Sequence, residues 1–119
     1  MKPRRCQCLC GAVEFIVTSR SYTAHECHCT QCRRFSGHLW AYVSLRWEDV
    51  SFQKDDRLVW FALTDRAKRG FCGRCGTSLF WRQNGSDEVD VSAAAFDEPS
   101  GLRLGAPSFP EFKGDYYEL

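Results

Sequence analysis

Eight cysteines, at positions 6, 8, 10, 27, 29, 32, 72 and 75, are the residues of this 119-residue chain best able to do chemistry. They fall into three clusters: Cys8-Leu9-Cys10-Gly11, Cys27-His28-Cys29-Thr30-Gln31-Cys32 and Cys72-Gly73-Arg74-Cys75-Gly76, with Cys6 just ahead of the first. Thiols one or two residues apart do not bond to each other without strain. The N-terminal Met1-Lys2-Pro3-Arg4-Arg5 leads into cysteines and not into an apolar signal segment, so a reducing cytoplasm is the expected compartment. Clusters of this kind suit a metal ion, because ligands on one tight turn converge on one centre.

Ligand arithmetic then groups them. The two pairs, each followed by glycine, read as zinc-knuckle-like half-sites and make one closed four-thiolate site from Cys8, Cys10, Cys72 and Cys75. The triple, Cys27, Cys29 and Cys32, makes a three-thiolate site, and any other grouping of whole clusters strands a pair with too few ligands. Four protein ligands are the structural arrangement and three with an open position the catalytic one. An electron-rich three-thiolate zinc is a poor activator of water and holds an incoming thiol as a nucleophilic thiolate, so thiol chemistry is expected over hydrolysis. Arg33 and Arg34, after Cys29 and Cys32 at the start of a short helix, favour thiolate over thiol. A fourth ligand from Cys6, His25 or His28 would close the second site and make it structural too; the sequence leaves this open. Redox use of the two C-x-x-C motifs requires a strand followed by a long helix in an alternating α/β chain, and that context is missing.

The intervening segments must position these thiols, and most read as strands. Val13, Phe15 and Val17 alternate with their neighbours, and Leu39 to Leu45, Leu58 to Leu63, Thr77 to Trp81 and Glu88 to Ala95 carry β-branched and aromatic residues at a two-residue period. About six short strands predict a mainly β, antiparallel single domain over residues 1–119. One short helix is expected at Thr30 to Ser36, capped by Thr30 and stopped by Gly37, with one further turn at Trp47 to Val50. Asn84-Gly85 predicts a hairpin, Pro99 to Pro110 a surface loop, and Tyr116-Tyr117 a docked tail. Trp40, Trp47, Trp60 and Trp81 are expected to fill the core; exposed, they would form the patch of a non-catalytic chaperone or interaction module.

Charge excludes other classes. With 16 Lys and Arg against 15 Asp and Glu the formal charge is +1, too balanced for a nucleic-acid binder. Seven metal-bound thiolates and two Zn²⁺ would take it to −2. No apolar run approaches the ~20 residues that span a bilayer, so neither nucleic acid nor membrane is an expected partner.

Three motifs together, Cys8-x-Cys10-Gly11-Ala12-Val13, Cys27-His28-Cys29-x-x-Cys32-Arg33 with Gly37, and Arg69-Gly70-Phe71-Cys72-x-x-Cys75-Gly76-Thr77-x-Leu79, resemble the glutathione-dependent formaldehyde-activating enzyme family. Asp97-x-Pro99 and Lys113-Gly114-Asp115-Tyr116-Tyr117 look like its C-terminal part. The resemblance implies a compact, zinc-stabilised β-tent. It implies two zinc ions, one structural on Cys8, Cys10, Cys72 and Cys75 and one catalytic on Cys27, Cys29 and Cys32. It also implies a carbon–sulfur lyase that joins glutathione and formaldehyde or cleaves S-hydroxymethylglutathione. Glutathione carries two carboxylates, so Arg33, Arg34, Lys68 and Arg69 are the candidate substrate cations. The chain departs from the pattern in carrying Cys6, and Pro107 near a point where relatives have histidine.

Overall fold

In a computed structural model, residues 2–20 and 22–119 are described, and they form ten strands and one α-helix. Strands β1 (Arg4–Gln7), β2 (Glu14–Val17) and β5 (Val50–Lys54) make a three-stranded sheet in the order β1-β2-β5. The larger sheet has seven strands in the order β10-β3-β4-β9-β8-β7-β6. These are β3 (Thr23–Cys27), β4 (Trp40–Arg46), β6 (Leu58–Phe61), β7 (Ala67–Cys72), β8 (Ser78–Gln83), β9 (Glu88–Ser92) and β10 (Arg103–Ser108).

The core lies between the two sheets, and period-two alternation puts it there. Phe15 and Val17 point inward from β2, and Val43, Leu45, Val89 and Val91 face them from β4 and β9. Phe80 anchors the contact, with its ring centroid 4.9 Å from that of Phe15 and 5.6 Å from that of Trp60, the latter pair stacked. Residues that alternate with these core positions stand on the other face of the large sheet. There Cys27, Cys32 and Trp40 form a second, smaller cluster with Phe35, Tyr42 and Trp81 packed against it.

The mainly β class is as expected, with three corrections in detail. Every strand pairing is antiparallel except β10 with β3, which is parallel. Strand β10 lies inside the stretch expected to be a loop. Proline lacks a ladder donor, but Pro107 sits on the edge strand of its sheet, beside a register shift, where that loss is tolerated. The end of the expected strand at Glu88 to Ala95 turns into a 3-10 turn at Ala93–Ala95.

Helix α1 (Thr30–Ser36) has the expected span and ends at Gly37 (φ 94°), whose N–H donates to Arg33 O. Its cap is Cys29 and not Thr30: the Cys29 sulfur accepts from the Cys32 N–H, so a cysteine does the work usually given to a hydroxyl. The 3-10 turn at Trp47–Asp49 and the β8–β9 hairpin around Asn84-Gly85 form where the sequence places them.

The tail docks through its tyrosines. The Tyr117 hydroxyl lies 2.7 Å from Nδ1 of the fully buried His28, Tyr116 lies 2.8 Å from Nδ1 of His38, and Lys113 Nζ donates to Tyr117 O at 2.7 Å. None of the four tryptophans is exposed: Trp47 and Trp60 pack on the main core, while Trp40 and Trp81 stand among the cysteines on the outer face.

Candidate metal centres and the cavity beside them

The first cysteine group joins the two sheets. Cys8 and Cys10 lie on the turn after β1, Cys72 ends β7, and Cys75 follows on the next turn. Their four sulfurs lie within 4.8 Å of one another. Cys8 and Cys10 are 3.7 Å apart and Cys10 and Cys72 3.8 Å apart. A tetrahedron with zinc–sulfur bonds of ~2.3 Å has an edge of about 3.8 Å, and a disulfide would need about 2.05 Å, so the spacing fits a shared ion and not a covalent bond.

Backbone amides aim at the sulfurs, as the knuckle geometry requires. Val13 N–H donates to Cys8 Sγ at 3.3 Å, and Arg74 and Cys75 N–H to Cys72 Sγ at 3.4 and 3.5 Å. Gly76, at φ 82°, makes the reversal that allows this. Thr77 ties the knuckles together: its hydroxyl accepts from Leu9 N–H at 3.0 Å and lies 3.1 Å from Cys75 Sγ. Burial raises the Cys75 thiol, but hydrogen bonds from the Thr77 side chain, from the Thr77 and Cys10 backbone and from Cys72 outweigh it and bring it down to about 5.

The second group sits at a strand–helix junction. Cys27 ends β3, Cys29 caps α1 and Cys32 lies in its first turn, again with all sulfurs within 4.8 Å. The thiols contend for protons: a hydrogen bond from Cys32 holds Cys27 down at about 5, while the same bond and burial push Cys32 up. A cation in place of those shared protons would relieve that conflict. Both cysteine groups could therefore hold metal ions.

Cys6 joins neither group. It is fully buried, paired with Phe15 across β1–β2, and burial pushes its thiol up to about 12. His25 packs against Tyr42, and the His28 ring is engaged by Tyr117 and, at 3.3 Å, by Glu26. Among the described residues the second group thus has three cysteines as its members.

A cavity of about 340 Å³ opens over these three sulfurs, lined also by Gln31, Trp40, Tyr42, Arg69, Trp81, Asp90, Phe109 and Phe112. Of the four cations singled out in the sequence, Arg69 reaches it. Its guanidinium stacks on Phe35 and lies 3.7 to 3.8 Å from Cys32 Sγ. Lys68, next in the strand and so on the opposite face, lies over Trp60. Arg33 is spent on His28 O and Phe112 O, which fastens the tail segment to the helix, and Arg34 lines a separate cavity behind the helix.

Sequence reasoning missed the walls. Trp40 and Tyr42 alternate with the core residues of β4, and that period already assigns them to the outer face. Asp90 stands between the core residues Val89 and Val91 for the same reason. The Ser44 hydroxyl donates to Asp90 at 2.7 Å, and burial pushes the carboxyl up to about 6 against that lowering bond. Burial raises the Tyr42 phenol as well. Phe109 and Phe112 come from the segment after β10, and no local pattern marked them.

Two cysteine clusters on a two-sheet β scaffold, one between the sheets and one opening on an aromatic cavity, define a class of cysteine-built β protein able to hold metal ions. The chain matches the family described as glutathione-dependent formaldehyde-activating enzyme over residues 3–111, and it belongs to that family. It is 25% identical over 113 residues to an uncharacterized lyase of Schizosaccharomyces pombe, a match covering 94% of this chain and 82% of the relative. A crystal structure of a Rhodobacter sphaeroides protein has the same fold, with a TM-score of 0.71, 24% identity, and coverage of 87% of this chain and 99% of that one. Among the described residues no helix is long and apolar enough to cross a membrane.

Proposed function

We propose that this protein is a zinc-dependent carbon–sulfur lyase acting on a thiol adduct such as S-hydroxymethylglutathione, the product of glutathione and formaldehyde. Cys27, Cys29 and Cys32 would hold the catalytic zinc, and Cys8, Cys10, Cys72 and Cys75 a structural one. The observation that carries the reading is the convergence of three sulfurs, with no fourth ligand among the described residues, on an aromatic-walled cavity. Family membership and the lyase name of the yeast relative support the reaction class.

Zinc on three thiolates would supply an open position that keeps a substrate sulfur in its thiolate form. The chain's own residues do the rest. Trp40, Trp81, Phe109 and Phe112 offer apolar walls against which a small thiol would pack beside the sulfurs. Arg69, braced by Phe35, offsets the excess negative charge of the thiolates and is the cation in reach of a substrate carboxylate. Gln31 offers an amide to the peptide part of the substrate.

The test is calorimetric titration of glutathione and other small thiols into zinc-loaded protein. Saturable heat with glutathione, lost in Cys29→Ser with the fold intact, is expected; no heat with any thiol refutes the reading.

A further inference from the structure

Removing formaldehyde from an S-hydroxymethyl thiol requires a group that takes the hydroxyl proton, and the thiolate cluster cannot supply it. Cysteines bound to a cation are acceptors already engaged, and a guanidinium does not give up its proton near neutrality. Two other titratable groups line the cavity, Tyr42 and Asp90. Tyr42 is a donor and not a base, since burial holds its phenol protonated and its hydroxyl lies 3.4 Å from Ser108 Oγ. Asp90 differs on each count. It stands in the middle of β9, on the strand rung opposite Ser44 and Trp81, so its position is fixed by two neighbouring strands. One carboxylate oxygen accepts the Ser44 hydroxyl at 2.7 Å, and no lysine or arginine forms an ion pair with it among the described residues. A carboxylate set rigidly into a wall of tryptophan and phenylalanine, without a cation, is hard to account for as a stabilising element.

We infer that Asp90 is the general base and acid of the site, moving the proton of the one-carbon unit's oxygen. This rests on the lyase reading above. In cleavage, Asp90 takes the proton of the S–CH2–OH hydroxyl and the O–H electron pair becomes the second C–O bond of formaldehyde. The C–S bond then breaks, with its pair left on sulfur as thiolate. In synthesis, the thiolate attacks the carbonyl carbon, the carbonyl π pair moves to oxygen, and Asp90 returns its proton there. After cleavage the proton passes from Asp90 to the departing thiol or to water, and in synthesis it is supplied by the incoming thiol or by water. Asp90 thus returns to its starting form in each turnover, and no oxidant or further reactant is needed. The hydrogen bond from Ser44 engages one carboxylate oxygen, and Asp90 lines the cavity. A carboxyl raised to about 6 exchanges its proton readily in both directions near neutral pH.

The experiment compares the zinc-loaded wild-type protein with Asp90→Asn, which keeps shape and removes the base. Exchange between glutathione, formaldehyde and their adduct is followed by NMR line-shape and saturation transfer. Metal content, melting temperature and glutathione affinity are measured on the same samples. The expected result is a loss of about 10²- to 10⁴-fold in catalysed exchange, with metal content and glutathione affinity unchanged. Asp90→Ala is expected to regain at least about tenfold of its lost rate with added formate, a rescue that a purely structural residue would not give. Exchange by Asp90→Asn within about threefold of wild type overturns the role of Asp90 and leaves the lyase reading standing. Loss of metal or of glutathione binding together with exchange also overturns it, because the residue would then be structural. Absence of catalysed exchange in the wild-type protein refutes the lyase reading, and the role of Asp90 with it.

Discussion

The two cysteine groups should respond very differently to loss of one thiol, and the difference can be worked out from where they sit. Cys10 and Cys72 are 62 residues apart in sequence; Cys10 follows β1 of the small sheet and Cys72 ends β7 of the large one. A cross-link closing a loop of that length stabilises by about 4 kcal/mol on the loop-entropy scale. For a domain of this size that corresponds to on the order of 15 °C in Tm. Cys27, Cys29 and Cys32 instead lie on one continuous strand–helix junction, where the same scale gives at most about 2 kcal/mol, or about 7 °C. Cys10 is the better probe of the first group because its side chain is exposed, so Cys10→Ser leaves no buried hydroxyl to confuse the result. Measured by thermal denaturation in a mild chelator that strips weakened sites, Cys10→Ser should lose about 10–15 °C. Cys29→Ser should lose less than half of that while abolishing glutathione binding. Metal analysis of both variants reports which site emptied. A Cys29→Ser melt as low as that of Cys10→Ser, or lower, would refute the assignment of the first group as the clamp between sheets.

Three further outcomes are expected. Tyr117→Phe leaves Nδ1 of the fully buried His28 without its 2.7 Å partner, and should cost about 1–2 kcal/mol and release the tail to carboxypeptidase. Gly76→Ala meets no atom within 4 Å, so its cost of about 1 kcal/mol is purely that of φ 82° in a residue with a Cβ, read as a matching fall in denaturation midpoint. The Asp90 carboxyl is raised in the folded state to about 6, so its contribution to stability is present below about pH 4 and lost as pH rises through 6. Asp90→Asn should therefore be more stable than wild type by about 1–2 kcal/mol at pH 7, after allowing for solvent at the cavity mouth, and gain nothing at pH 4. Equal curves at both pH values would show that Asp90 carries no burial penalty.

The elements that were legible in sequence are those whose two faces differ most. In β2, β4 and β9 one face meets the core and the other does not, so Phe15 and Val17, Val43 and Leu45, and Val89 and Val91 recur every second residue. Strands β1, β3 and β7 escaped because Arg-Arg-Cys-Gln, Thr-Ala-His-Glu-Cys and Ala-Lys-Arg-Gly-Phe-Cys spend their positions on ligands and on the cavity face, and little apolar periodicity is left. Strand β10 contains Gly105 and Pro107 and forms only because β3 offers a distant partner, which no local propensity encodes. The cysteine clusters behave in the opposite way. Their spacing is local chemistry, so both groups could be read directly, whereas choosing Arg69 over Lys68 needed the register of β7 against β8.

Together these features explain why a small domain can hold a charged cavity without losing its fold. The large sheet has two jobs and gives one to each face. Its inner face, with Phe80 and its aromatic neighbours, builds the core against the small sheet. The four-cysteine group then joins the two sheets at one end, where Cys8 and Cys72 are themselves core residues. The outer face is thereby free to carry groups that a core would reject: three thiols in contention for protons, a guanidinium against sulfur, and a carboxylate with no lysine or arginine ion pair among the described residues. Those residues alternate along the same strands as the core, so each rigid core position holds a reactive neighbour in place. The precision of the cavity is a consequence of the packing behind it, and substitutions on the cavity face should change chemistry far more than stability.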